Sequence, residues 1–153
     1  MNFNLVKGNA AGIFVDRGSA DYKGLLHVAK IFVNDVKLVS GAVMDLDEEL
    51  TDAPQIIAGT MGSSPVIGRM VEEGVLDLEV LKGKREVFLI KLLSYNNAPK
   101  LVIVGTETIA TLFGIYHISK KIGVSPWVYW GDVIPAKKAE IVFDDTIDFV
   151  SKE

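Results

Sequence analysis

Cysteine is absent from the 153-residue sequence. This excludes a disulfide framework, a thiol nucleophile and a thiolate metal site. Histidine is nearly absent as well, because only His27 and His117 occur, and neither is followed three or four residues later by another His, Asp or Glu. A helical pair of metal ligands and a histidine-based catalytic triad are therefore not expected, and neither is a bound metal or other cofactor.

Concentrated positive charge is also missing. The chain has 16 basic and 20 acidic residues, a formal net charge of −4, and no run of Lys or Arg longer than two. Nucleic acids and anionic membranes are recognised by basic surfaces. Neither a nucleic acid nor a membrane is therefore expected as a partner.

Long apolar runs are absent too. No segment reaches the roughly 18 apolar residues of a membrane-spanning helix, and "MNFNLVKGNAAGIFVD" at the N-terminus lacks the apolar region of a signal peptide. If the native protein is exported, its signal is not in this chain, so the compartment stays open. Yet 49% of the residues are hydrophobic and the mean hydropathy is +0.31. For a small domain, this favours an apolar surface that belongs against a partner.

The sequence does contain alternating apolar runs and amphipathic segments. Continuous apolar, β-branched runs predict strands at 11–16, 42–46, 55–60, 86–93, 100–106 and 139–145. Capping residues and helical periodicity predict helices at 21–41, from Ser63 or Ser64 to Gly74, and at 107–123. The expected fold class is α/β, with a mixed sheet of about five strands packed by two long helices on one or both faces. The last residues, "TIDFVSKE", carry no turn or cap signal and are expected to lead into another domain.

Each predicted helix has an expected apolar face. In the first helix this face consists of Leu25, Val28, Ala29, Phe32, Val36 and Val39. In the second helix Val66, Ile67, Met70 and Val71 are expected to face inward, and in the third the shared face is formed by Ile109, Leu112, Phe113, Tyr116 and Ile122. Ser19 or Asp21 is expected to cap the first helix, and Gly41 to end it.

Two short motifs have a possible chemistry and a simpler interpretation. "GTMGSS" at 59–64 joins a strand to a helix and could offer amides to a phosphate, but a tight turn with a helix cap is favoured. "DLDEEL" at 45–50 groups four carboxylates. Glycosidases place two carboxylates across a cleft, whereas adjacent carboxylates in a polar loop are usually solvated. No set of nucleophile, base and oxyanion donor is found, so no catalytic residue is assigned.

The aromatic segment "IGVSPWVYWGDV" at 122–133 holds both tryptophans of the chain. The residue before Pro126 is restricted to an extended conformation, which directs Trp127 and Tyr129 to one side and Trp130 to the other. Such side chains stack on sugar rings, and they are also enriched at the centres of protein interfaces. Asp132 could orient a hydroxyl or cap the turn. These four residues are the candidate site, and composition leaves sugar binding and domain docking both open.

The stretch "LVIVGTETIATLFGIYHISKKIGVSPWVYWGDV" at 101–133 resembles the end of the N-terminal domain of the xylan α-glucuronidases, glycoside hydrolase family 115. The residues that match the family pattern are Thr111, Gly114, Ile115, Tyr116, Ser119, the run from Ile122 to Trp127, Trp130, Asp132 and Val133. The block from Ile56 to Ile90 resembles an earlier part of the same domain. The family's Ser-Asp-x-Arg-Gly is replaced here by 106–110, which lacks the Arg and the Gly. Phe113, Tyr129 and Gly131 also stand where the family usually has Tyr, Trp and Ala.

The resemblance implies that residues 1–153 are a single N-terminal accessory domain, with a fold similar to the non-catalytic domain that precedes the barrel in glucuronidases and hexosaminidases. The catalytic (β/α)₈ barrel needs about 250 residues and is not in this chain. The chain alone is therefore expected to be inactive, with the barrel of its parent protein as partner and xylan or glucuronoxylan as the substrate of the whole. The alternative is a stand-alone carbohydrate-binding module whose platform is formed by Trp127, Tyr129 and Trp130.

The aromatic segment also has an expected place in such a domain. Trp127 is predicted to be buried under the long helix 107–123, because Pro126 fixes its approach and Gly123 lets the chain turn back. The face that carries Tyr129, Trp130 and Asp132 is predicted to meet the barrel. In the isolated domain, this uncovered face is expected to cause self-association.

Overall fold

The computed structural model describes residues 1–124 and 138–152, which form two β-sheets and three α-helices. The strands are β1 (Phe3–Lys7), β2 (Asn9–Ala10), β3 (Gly12–Val15), β4 (Leu46–Asp47), β5 (Gln55–Thr60), β6 (Phe88–Tyr95), β7 (Ala98–Gly105), β8 (Ile141–Phe143) and β9 (Phe149–Val150). The helices are α1 (Tyr22–Ser40), α2 (Pro65–Glu72) and α3 (Thr108–Lys121). None of the helices in these two ranges is long and apolar enough to cross a bilayer.

The main sheet is mixed and has the strand order β4-β3-β5-β7-β6-β9. Strands β4, β3, β5 and β7 run parallel, whereas β6 is antiparallel to both of its neighbours. The predicted α/β class is confirmed, with six strands in this sheet. The chain leaves β3 towards β4 on one side and later returns to β5 on the other. The carboxyl ends of β3 and β5 therefore flank a topological switch point, the usual place for sites in such sheets.

The sheet buries one face under α1 and α3 and the other under α2. Alternating residues of β5 show this division, because Ile56 packs in the cluster with α1 and α3, while Ile57 packs in the cluster with α2. In β7, Ile103 and Val104 divide in the same way. Strands covered on both faces are expected to be continuous apolar runs, which is the pattern from which they were predicted.

Helices α1 and α2 have the predicted ends. The six residues of the predicted apolar stripe of α1 are all buried, and the helix ends at Gly41, whose φ of 77° is a left-handed conformation that glycine adopts without strain. In α2, the Ser64 hydroxyl accepts a hydrogen bond from the Ile67 amide at 3.3 Å, and Pro65 occupies the first turn. The one exception is Val71, which is exposed although it was predicted to face inward, because α2 turns only its Val66–Ile67–Met70 side to the sheet.

The predicted apolar face of α3 is wrong for three of its five residues, whereas Ile122 is buried as predicted and Leu112 is partly buried. Ile109, Phe113 and Tyr116 are exposed, while the opposite side of the helix is buried. The buried side consists of Ala110, Thr111, Gly114, Ile115, Ile118, Ser119 and, just after the helix, Ile122. The small residue Gly114 decides the orientation, since a Cβ at this position would lie 2.4 Å from Ile103 Cγ2 in β7.

The ends of the described chain also differ from prediction. Residues 3–7 form an unpredicted strand, β1, which lies between β2 and β8 in a separate three-stranded sheet. Segment 139–145 was predicted to be a strand, and its part β8 pairs with β1 rather than with the main sheet. Segment 42–46 forms almost no strand, because β4 begins only at Leu46. No turn or cap was predicted for the last residues, but Asp144 caps a 3₁₀ turn and Phe149 pairs with Ile90 of β6.

Candidate functional site

The four candidate residues from the sequence, Trp127, Tyr129, Trp130 and Asp132, lie outside the described residues 1–124 and 138–152. Their predicted roles stay predictions. The described chain on the near side of this segment ends with Ile122 and Val124, which are both buried.

Hydroxyl groups from three parts of the chain converge on Asp21 at the carboxyl edge of the parallel strands. One carboxylate oxygen of Asp21 accepts hydrogen bonds from the hydroxyls of Thr60 at 2.6 Å and Thr108 at 2.7 Å. The other oxygen accepts one from Ser19 at 3.0 Å. Thr60 ends β5 and Thr108 begins α3, so Asp21 connects the starts of α1 and α3 to the central strand. Asp21 was proposed as a helix cap, but its side chain makes no cap bond.

The network continues from Thr60 to Thr111 inside α3. Their hydroxyl oxygens are 2.7 Å apart, and the amide of Gly105 donates to the Thr111 hydroxyl at 3.1 Å. Because the single proton of Thr60 is directed to Asp21, Thr111 is the donor in the Thr60–Thr111 pair. A Cβ on Gly105 would lie 2.2 Å from the Thr111 backbone nitrogen, so only glycine permits this approach.

The electrostatics of Asp21 favour a structural role. Partial burial raises the pKa of this carboxyl, but the hydrogen bonds from Thr60, Thr108 and Ser19 outweigh burial, and the pKa is lowered overall. A general acid or base needs a pKa close to the working pH and a free position for the substrate. A carboxylate with a lowered pKa and three hydroxyl donors satisfies neither requirement. Asp21 therefore joins elements rather than performing acid–base chemistry.

The N-terminus of α2 is occupied by another carboxylate of the same chain. Asp16 Oδ2 accepts a hydrogen bond from the Val66 amide at 3.0 Å and lies 3.4 Å from the Ser64 hydroxyl, which donates to it. The other oxygen of Asp16 accepts from the Gly18 amide at 2.9 Å. A phosphate at this helix would have to displace a carboxylate that already satisfies the amide and complements the helix dipole. The structure supports the capped-turn interpretation of 59–64 and disfavours a phosphate site.

An open cavity of about 620 Å³ lies beside this turn. Its lining includes Asp16, Glu48, Arg69, Glu73 and Tyr95. Besides Asp16, three of these side chains are already engaged, since Tyr95 donates its hydroxyl proton to Glu73 at 2.9 Å and Glu48 pairs with Arg17 at 2.7 Å. Within residues 1–124 and 138–152, no three His, Asp or Glu side chains are grouped so that they could hold a metal ion.

Sequence analysis missed a buried lysine at the opposite edge of the sheet. Lys100 is fully buried, and its ammonium group donates to the carbonyls of Thr51 at 2.8 Å and Ala53 at 2.6 Å and to the side-chain oxygen of Gln55 at 2.7 Å. Burial lowers the pKa of Lys100, while the charges of Asp47 and Asp52 act in the opposite direction. The Gln55 amide in turn donates to Asp47 at 2.7 Å. The acidic loop 45–50 is thus partly fastened to the sheet, rather than being only solvated as predicted.

Comparison with known proteins finds similarity among solved structures. Neither a family model nor a curated protein sequence matches the chain. Among solved structures, the chain is similar to a family GH115 4-O-methyl-α-glucuronidase, BtGH115A, described as having specificity for decorated arabinogalactans, with a TM-score of 0.76 and 30% sequence identity. The match covers 97% of this chain and 18% of that chain.

This match confirms the predicted resemblance to family 115 and the mixed α/β fold class. The chain spans 18% of the length of the solved protein, and it is therefore similar to a domain-sized part of a much longer α-glucuronidase.

Proposed function

We propose that the chain is the N-terminal, non-catalytic domain of a glycoside hydrolase that releases 4-O-methylglucuronic or glucuronic acid from a plant polysaccharide. In this proposal the domain supports a catalytic (β/α)₈ barrel and edges its cleft. The observation that carries the proposal is the match over 97% of this chain to only 18% of a 4-O-methyl-α-glucuronidase. Nearly every residue of the chain takes part in a similarity that involves a small part of the larger protein.

The internal chemistry of the domain supports an accessory role. The buried polar groups at both edges of the sheet, around Asp21 and around Lys100, are satisfied by neighbours within the chain. Polar groups that bind or transform a substrate need unoccupied hydrogen-bonding positions. The described part of the chain uses such groups to fix the ends of its strands and helices.

There are two candidates for the polysaccharide substrate. The sequence resemblance points to xylan, because it is to the xylan α-glucuronidases, whereas the solved protein is described as specific for decorated arabinogalactans. Both carry uronic acid branches that an α-glucuronidase could remove. In either case Tyr129, Trp130 and Asp132 are proposed to lie at the interface with the barrel or at the edge of the substrate cleft, while Trp127 anchors the segment.

The test is to express the complete reading frame that contains residues 1–153 and to compare it with the 153-residue chain. We expect the complete product to contain a barrel-sized region and to release uronic acid from glucuronoxylan or from decorated arabinogalactan. The 153-residue chain should release none. Unsubstituted xylan serves as the control, because it has no uronic acid to lose. A frame without a barrel-sized region, or a complete product inactive on both substrates, would refute the proposal.

A further inference from the structure

The outer face of α3 carries a row of exposed apolar side chains. Ile109, Phe113 and Tyr116 are 47%, 48% and 44% exposed, and their spacing of four and three residues places them on one side of the helix. The opposite side of the same helix is buried against the sheet and α1. A helix that is apolar on both sides is typical of an element covered on both sides.

The row extends sideways onto the edge of the main sheet. His117 follows Phe113 by one helical turn and stacks on Phe149 of β9, with ring centroids 4.5 Å apart and planes inclined by 17°. Phe149 is itself 41% exposed. We call the surface formed by Ile109, Phe113, Tyr116, His117 and Phe149 the α3 patch.

His117 behaves as an apolar member of this patch. Its Nε2 atom is buried and has no hydrogen-bond partner among the described residues. Burial lowers the pKa of the imidazole, and the charges of Lys121 and Lys120 lower it further. The ring is therefore neutral at physiological pH and adds aromatic surface to the patch, rather than charge.

The α3 patch is unlike the rest of the described surface. Every exposed phenylalanine or tyrosine side chain in residues 1–124 and 138–152 belongs to it, namely Phe113, Tyr116 and Phe149. Other exposed apolar side chains are valines, leucine and methionine dispersed over other elements, as on any protein surface. Aromatic residues gathered on one face are characteristic of interface centres.

The size of the patch decides what can cover it. With about 200 Å² for a whole aromatic side chain, the exposed fractions leave about 350 Å² of apolar side-chain surface. A stable complex between separate molecules needs about 800 Å² on each partner. Domains of one chain meet through about 300–750 Å² on each side, and the tether between them keeps the local concentration high. The area therefore favours a tethered domain over a second copy of this chain.

The charges beside the patch describe the surface that would meet it. Lys120 and Lys121 end α3 next to Tyr116 and His117, and neither forms an ion pair within the two described ranges. A partner surface with carboxylates at its rim would complement them.

We infer that the α3 patch is the surface by which this domain docks against another domain of the same longer chain, whose facing surface is apolar and edged by carboxylates. The inference rests on the proposed function for the existence of that longer chain. Beyond the proposed function, the inference identifies which face of this domain the other domain covers. That face lies on the outer side of α3 rather than at the carboxyl edge of the parallel strands.

Hydroxyl-radical footprinting tests the inference on the complete reading-frame product and on the 153-residue chain. Phe113 and Tyr116 should be labelled readily in the 153-residue chain. In the complete product, their labelling should fall about fivefold, in proportion to the loss of accessible surface. Tyr95, which lies half-buried on β6 away from α3, should be labelled equally in both.

A charged substitution gives the matching perturbation. Phe113→Asp in the complete product should release the docked domain and restore the labelling of Tyr116. Val71→Asp, at an exposed apolar position on the outer side of α2, is the control and should leave labelling unchanged. Both substitutions should leave the folding of the 153-residue chain intact, because both side chains are exposed.

The outcomes separate this inference from the proposed function. An active complete product with Phe113 and Tyr116 labelled as in the 153-residue chain would overturn the inference alone. Protection in a complete product that releases no uronic acid would support the inference and overturn the proposed function. Protection of Phe113 and Tyr116 already present in the 153-residue chain would overturn the inference. If this protection weakens on dilution, a second copy of the chain covers the patch. If it does not, another part of the same chain covers it.

Discussion

Lys100 lies directly opposite Gln55 in the register of the central strands β7 and β5, and its ammonium group donates to the Gln55 side-chain oxygen at 2.7 Å. The same Gln55 oxygen also accepts the amide of Thr51 at 3.0 Å. One buried cation thus fixes the loop before β5 through two backbone carbonyls and one side chain. This arrangement fastens the amino edge of the sheet.

Replacing Lys100 with methionine should lower the free energy of unfolding by about 3 kcal/mol. The change keeps most of the side-chain volume but leaves the carbonyls of Thr51 and Ala53 and the buried Gln55 side-chain oxygen without a charged donor. Lys91→Met in β6 is the matched control, because Lys91 pairs with Asp148 at the surface, and its loss should cost under about 1 kcal/mol. Urea melts of both variants measure the difference. An equal decrease in the free energy of unfolding for Lys100→Met and Lys91→Met would show that the Lys100 contacts do not stabilise the fold.

Acidification should destabilise the domain through His117. The folded-state pKa of His117 lies below its ordinary value of 6.5. Between these two values the unfolded chain binds more protons than the folded chain, so the free energy of unfolding falls as the pH falls through that window. His117→Phe should preserve the stack on Phe149 and flatten this pH dependence. His27→Gln, at an exposed position, should retain it. The measurement is a series of denaturant melts from about pH 8 to pH 5.

Replacing Asp21 with asparagine should lower the free energy of unfolding at neutral pH by about 2 kcal/mol. The reason is that an uncharged amide group would then face the hydroxyls that donate to the carboxylate in the wild type. The folded-state pKa of Asp21 is below its ordinary value of 3.8. The contribution of the wild-type carboxylate is therefore present above pH 3.8 and is lost as the pH falls through the folded-state value. Melts of Asp21→Asn and the wild type should converge in that acidic range. If the difference in the free energy of unfolding between the two proteins stayed constant with pH, the loss would come from packing rather than from the ionised carboxylate.

The tryptophans of the aromatic segment should have different roles. Trp127→Ala should destabilise the fold by about 3–5 kcal/mol, the usual cost of emptying a large aromatic site, because we predict Trp127 to be buried. Trp130→Ala should cost much less stability but reduce self-association of the 153-residue chain. Denaturant melts and sedimentation of the two variants check this. A larger loss for Trp130, or a wild-type chain that is strictly monomeric with both tryptophan rings buried, would contradict the prediction.

Sugar titration distinguishes the alternative function of a carbohydrate-binding module. If Trp127, Tyr129 and Trp130 formed a sugar platform, tryptophan fluorescence of the 153-residue chain would change with xylo-oligosaccharides or glucuronoxylan. We expect no change at millimolar sugar. A saturable change that Trp130→Ala abolishes would establish the module instead.

The predictable parts of the fold are those whose signal is local. The stripe of α1, the cap at Ser64 and the apolar runs of β3, β5 and β7 follow from spacing and residue type within a few positions. The orientation of α3 does not follow from spacing and residue type, because the helix has apolar residues on both sides. Gly114, which lets the helix approach Ile103, looks unremarkable in the sequence.

The buried polar groups could not be predicted for a related reason. Lys100 and Gln55 are 45 positions apart, and Thr108 and Asp21 are 87 positions apart. Each pair depends on strand order and register, which residue spacing does not specify. The one available signal was a lysine at the start of an otherwise apolar strand, where a charge needs partners if it is buried.

The pairing of β1 with β8 has a consequence for synthesis of the protein. Phe3 pairs with Phe143 across the small sheet, so β1 waits for a strand that is made about 140 residues later. At 5–20 residues per second, a ribosome needs roughly 7–30 seconds to add the intervening chain. Strands β3, β5 and β7 can pair with one another earlier, while the apolar side of β1 stays exposed. A nascent chain stalled before Ile141 would therefore present Phe3 and Leu5 to chaperones.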